Sequence, residues 1–162
     1  MAGTKHFTRM HYHVTRGLRE IVAPRQTMPK KEWETIKCSF GEKCAYCGQG
    51  ATKENRGIVA DHVIPATEFG EFVKGNIVPA CQTCNDSRGN RCWREFINTK
   101  QGNDLSERIE KIEQHLEANP YTAPSPELAL SAQEFEAYNQ LLQQWDVINT
   151  KAKELYNSKN NG

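Results

Sequence analysis

Two Cys-x-x-Cys turns, Cys44-Ala45-Tyr46-Cys47 and Cys81-Gln82-Thr83-Cys84, constrain this 162-residue chain more than any other feature. Each short turn presents two sulfurs to one point, so four thiolates can close a tetrahedral Zn²⁺ site. Two matched pairs argue against the redox chemistry of a single Cys-x-x-Cys and against metal-free buried thiols. The stretch from Cys47 to Cys81 is longer than the usual zinc-ribbon spacing of roughly 15–20 residues. It must therefore be a small structure of its own, stapled at its base by the metal. With four of six cysteines so used, the chain suits a reducing, cytoplasmic interior, and Cys38 and Cys92 are expected to be buried thiols.

Inside the insert, residues 56–60 are expected as a short strand leading into Asp61-His62. A loop with Phe69-Gly70 and Gly75 follows, and residues 76–78 are expected as a second strand ending at Pro79. A helix opening around Cys84-Asn85-Asp86-Ser87-Arg88 would carry Trp93, Phe96 and Ile97 into the core. The outline is strand, strand, helix.

The order Cys-x-x-Cys, Asp61-His62-x-x-Pro65, Gly75-Asn76-Ile77-Val78-Pro79-Ala80-Cys81-x-x-Cys84-Asn85-x-x-Arg88 resembles the HNH nuclease family, with its ββα-metal active site, over about residues 43–94. The resemblance implies an α+β fold built on a small ββα-metal core, stapled by a four-cysteine zinc site. It implies His62 as general base, Asp61 as a ligand of a catalytic divalent cation, and Asn76 as the residue that holds the His-bearing loop. Asn85 stands where the family name has its second His, and would be the other ligand. Two oxygen ligands suit Mg²⁺ or Mn²⁺ better than softer metals. Arg88, three residues on and where the family often has a basic residue, is expected to meet phosphates flanking the cut. Arg91 is open between the same role and a solvated helix face paired with Glu95; Arg94 is equally open.

These residue types match the chemistry. Phosphodiester hydrolysis needs an activated water, and an imidazole with an unperturbed pKa of about 6.5 can take its proton at neutral pH. It also needs a Lewis acid at the phosphate and the leaving oxygen. One geometric demand follows: neighbouring side chains on a strand point to opposite faces, so Asp61 and His62 require a bulge or a strand end. Pro65 would help enforce it.

The flanks carry less. No segment reads as a signal peptide or a bilayer span. Net charge is +5 over residues 1–37, +1 over 38–100 and −5 over 101–162. The basic front end is the expected place for added electrostatic contact with DNA. Its stretch of residues 5–16 interleaves basic, aromatic and histidine residues and admits three readings: a groove-entering or base-stacking arm, a strand with period-two alternation, or a loose tail. A metal on His11 and His13 lacks further ligands nearby. Lys30 to Ile36 is expected as a short helix with Trp33 and Ile36 inward. Leu105, Ile109, Ile112 and Leu116 mark an amphipathic helix between Asp104 and Asn119-Pro120. After a Pro-rich linker, Ser131-Ala132-Gln133-Glu134 is a capping box opening a second long helix, with fraying from Asn157. Both helices are expected to wrap the core or to form a dimer surface.

The segments read as a basic extension (1–42), the nuclease core (43–100) and an acidic helical region (101–162). The expectation is a zinc-stapled endonuclease that uses Mg²⁺ or Mn²⁺ on double-stranded DNA, leaving 5′-phosphate and 3′-hydroxyl ends, with restriction, phage and homing or nicking roles all open. A homodimer would cut both strands. The alternative is a zinc-binding nucleic-acid module without catalysis.

Overall fold

Strands β1 (Ile58–His62) and β2 (Ile77–Cys81) form a two-stranded antiparallel sheet, with Ile58 opposite Cys81 and His62 opposite Ile77. They are seen in a computed structural model that describes the backbone of residues 2–160 and the side chains of residues 10–159. Every residue of β2 is buried, which fits its run of apolar residues. Pro79 sits inside β2 rather than ending it. Proline donates nothing to a ladder, and the Pro79 carbonyl instead accepts the Ala45 N–H at 2.7 Å, stitching the first Cys turn onto the strand.

The α-helices are α1 (Ala2–Arg19), α2 (Lys30–Ser39), α3 (Gln82–Arg88), α4 (Trp93–Ile97), α5 (Leu105–Ala118), α6 (Pro126–Ala129) and α7 (Ala132–Asn160), and two short 3-10 turns, Ala66–Glu68 and Lys74–Asn76, lie between the strands. The single helix expected after Cys84 is two. Gly89, with φ of +55°, ends α3 while its N–H bonds the Asn85 carbonyl. A positive φ costs glycine little. The mixed helix and two-stranded sheet, with a four-cysteine cluster and C-terminal helices, is the α+β ββα architecture the motif implies.

Contacts divide the chain into two compact units, Arg25–Ala123 and the described parts of Met1–Pro24 with Pro124–Gly162. These boundaries differ from the three segments of the charge profile. In the first unit, Ile36, Phe40, Tyr46, Val78, Trp93, Phe96, Ile97 and Ile112 are buried around the Cys turns, with Trp33 packed against them. The apolar stripe of α5 closes this core. Asp104 starts α5 as expected, but its carboxylate bonds Arg108 Nη2 at 3.0 Å instead of capping the backbone.

In the second unit α1 packs on α7. The N-terminal stretch is helix, neither strand nor tail, because His11, Thr15 and Leu18 recur at helical spacing with Thr15 buried. Side chains of residues 5–9 lie outside the described residues. Arg16 and Arg19 lie in its last turn, where the helix dipole favours cations. The capping box is present: the Ser131 N–H and hydroxyl both donate to Glu134 Oε2, at 2.9 and 2.7 Å, and Ser131 Oγ accepts the Glu134 N–H at 3.4 Å. The long helix does not stop at Asn157 but runs to Asn160. Among the described residues no helix is long and apolar enough to cross a membrane.

Candidate active site and metal centre

The sulfur atoms of Cys44, Cys47, Cys81 and Cys84 all lie within 4.8 Å of one another, with Cys47 and Cys81 3.9 Å apart. A tetrahedron with Zn–S bonds of about 2.3 Å has S···S edges of about 3.8 Å, so the cluster fits one zinc ion. In each turn the second cysteine's N–H points at the first cysteine's sulfur, at 3.5 Å for Cys47 to Cys44 and 3.4 Å for Cys84 to Cys81. The sulfurs of Cys44 and Cys84 hold the Cys47 thiol far below its ordinary pKa; the same crowding pushes Cys44 and Cys84 up. Four like charges this close need a divalent cation to offset them. Cys38 and Cys92 are exposed, not buried: Cys38 faces outward on α2, and Cys92 precedes α4.

β1 ends at His62 without a bulge, so the strand end required by the Asp-His pair is there. His62 is half-buried with its ring 5.5 Å from that of Phe72. Asp61 is buried, 4% exposed, and both its oxygens are engaged. Oδ2 accepts the Tyr46 hydroxyl at 2.7 Å and Arg88 Nε at 2.8 Å; Oδ1 accepts Arg88 Nη2 at 3.0 Å. A carboxylate offers about four lone-pair positions, so among the described residues one, on Oδ1, has no hydrogen-bond donor.

Arg88 corrects its sequence-based assignment. Its side chain is 1% exposed, and beyond Asp61 it donates to the carbonyls of His62 and, at 2.7 Å, Arg91. A guanidinium so placed does not reach a phosphate; it ties the end of β1 to α3. Burial opposes its charge, but the hydrogen bonds and charge of Asp61 win and raise its pKa. Burial and the same carboxylate raise the Tyr46 hydroxyl well above its ordinary value. Arg91 is exposed and does not pair with Glu95. Its guanidinium bonds the Ser87 and Arg88 carbonyls at the end of α3 and lies 5.0 Å over the Phe96 ring. Arg94 is exposed and bonds Glu113.

Asn76 is fully buried and fixes the segment after His62. Its Oδ1 accepts the Ile64 N–H at 2.7 Å, and its Nδ2 donates to the carbonyls of Ile64 at 3.1 Å and Glu71 at 2.9 Å. The fit is close enough to demand glycine at position 70, where a Cβ would lie 1.8 Å from the Ile64 carbonyl oxygen. Asn85 is half-buried on α3, and among the described residues its amide has no hydrogen-bond partner. It is three residues before Arg88, hence on the helix face that Arg88 turns to Asp61.

Two supports escaped the sequence reading. Tyr121 receives the Glu71 N–H at 2.9 Å and donates to the Phe69 carbonyl at 3.4 Å, bracing the same loop from outside. Arg108 donates to the carbonyls of Tyr46 and, at 2.9 Å, Gln101. A signal for Arg108 existed: it falls between Leu105 and Ile112 on the apolar stripe, where a solvated arginine has no place.

Residues 44–101 match the model of a family described as HNH endonuclease. The chain is also similar to the SPbeta prophage-derived protein YoqL of Bacillus subtilis (strain 168), provisionally named an HNH endonuclease, at 32% identity over 92 residues. That match covers 52% of this chain and 40% of the relative, so the chain spans less than half of the relative's length.

Proposed function

We infer, on the premise that residues 44–101 carry an HNH endonuclease domain, that the protein is a divalent-metal-dependent DNA endonuclease. The observation that carries this reading is His62: a half-buried imidazole at the last position of β1, followed by a loop that buried Asn76 holds in place. In this reading His62 takes a proton from the attacking water. Asn76 is a positioning residue for the His-bearing loop, and Arg88 fixes the His62 backbone through its carbonyl.

The donor set fits a hard cation sparingly. The Asn85 amide oxygen and the one open lone pair of Asp61 would hold Mg²⁺ or Mn²⁺, leaving most positions to water and phosphate. When bound, such an ion supplies Lewis-acid stabilisation of the phosphate and the leaving oxygen. Cys44, Cys47, Cys81 and Cys84 would hold the structural zinc. Double-stranded DNA is the proposed substrate, with 5′-phosphate and 3′-hydroxyl products.

Plasmid nicking in Mg²⁺ or Mn²⁺ tests the reading. The wild-type chain should nick, and His62→Ala should lower the rate by about 10²–10⁴-fold with an unchanged melting temperature. Plasmid binding without nicking in either metal would instead establish the non-catalytic nucleic-acid module.

A further inference from the structure

We propose that α7 is the seam of a homodimer, pairing antiparallel with α7 of a second copy of this chain about a two-fold axis near Ile148. Leu141, Ile148 and Leu155 are 44%, 56% and 71% exposed. They recur every seven residues along a 29-residue helix. A heptad stripe drifts only about 20° per repeat, so the three stay on one face of α7. This face adjoins the one that α1 covers, where Tyr138 and Asn149 are buried and Trp145 is bonded to His11, and its three apolar side chains are left exposed beside that contact. Apolar residues at this period form the knobs of a helix–helix seam.

The occupant follows from symmetry and charge. An isologous interface must be complementary to itself, and reversing α7 about Ile148 lays Leu141 against the partner's Leu155. Residues 132–146 carry Glu134, Glu136 and Asp146 with no basic residue, a net −3. Residues 147–160 carry Lys151, Lys153 and Lys159 against Glu154, a net +2. Antiparallel pairing sets the acidic half on the basic half and opposes the helix dipoles; parallel pairing stacks like on like. Gln144 and Lys151 interrupt the stripe, so the seam is weak and the dimer reversible. None of this depends on the nuclease reading.

Sedimentation equilibrium of the full chain, from micromolar to near-millimolar concentration, tests the proposal. A monomer–dimer equilibrium is expected. Leu141→Lys alone, or Leu155→Glu alone, should weaken it by at least about tenfold, since each sets a charge against a leucine. The two substitutions together should recover most of the association, because Lys then meets Glu across the axis. Both positions are exposed, and the helical circular dichroism should be unchanged. A wild-type chain that stays monomeric throughout, or a double variant no better than the singles, overturns the proposal.

Discussion

The two units of this chain hold themselves together in opposite ways. Arg25–Ala123 uses short strands and helices around four sulfurs, and its large side chains are drawn in: Tyr46, Ile77, Phe96, Ile97 and Ile112 are each at most 1% exposed. The helical unit has long elements and little interior. Among the described residues, every large hydrophobic side chain left exposed belongs to it, including Met10, Ile21, Ile148 and Leu155. A metal lets a small core close completely, because cross-linking replaces the apolar area that short elements cannot bury. A helix pair without a staple depends on one seam, and its outer faces stay available to a partner.

Removing the staple should separate the two most sharply. Structural zinc contributes an apparent ~10–16 kcal/mol in small zinc modules, comparable to the whole stability of an ordinary domain, about 5–15 kcal/mol. Cys81→Ser, or stripping with a chelator, should abolish amide protection across residues 25–123 and leave that of α7 intact in hydrogen exchange. Joint loss in both units would erase the distinction.

Next in size is Arg88→Ala, which leaves Asp61 buried without its charged partner and should cost about 3–5 kcal/mol in urea unfolding of the first unit. A loss below about 1 kcal/mol, the range of exposed ion pairs, would return Arg88 to the surface and to phosphate contact. In the helical unit the counterpart is smaller. Trp145→Phe removes the indole N–H bonded to His11 Nδ1 at 3.1 Å and should cost about 1 kcal/mol, read as faster exchange in α7 alone.

The smallest effect is a pH dependence confined to the first unit. Burial lowers the pKa of His115, whose Nε2 lies 3.0 Å from the Lys74 carbonyl and whose ring meets Phe40 edge-on. The fold prefers the neutral ring, so its contribution is full above the ordinary value of 6.5 and declines as pH falls below it. Thermal melts between neutral and mildly acidic pH should show that slope, and His115→Gln should flatten it.

Local chemistry was legible in the chain. The four-cysteine cluster follows from spacing, the capping box from the residues Ser131 to Glu134, and the α5 stripe from its period. Asn76 was marked by the motif, and its side chain makes three hydrogen bonds, two to Ile64 and one to Glu71. What misled was charge and solvent exposure. Arg88 looked like a phosphate contact because it follows Asn85 by three residues, where the family often has a basic residue, yet Asp61, 27 positions away, draws it inside. Cys38 and Cys92 looked buried because cysteines usually are.

The sequence by itself determined the two sulfur-presenting knuckles, the strand–strand–helix order and the polar residue types of the motif, since each knuckle, strand and helix start is written in short-range spacings. Only the tertiary structure decided that Asp61 is shared with Arg88 and Tyr46, that α5 and α7 serve different units, and that α1 is a helix lying on α7. Those outcomes are set by which side chains meet across long stretches of chain, where a buried charge needs a partner and an apolar face needs a cover.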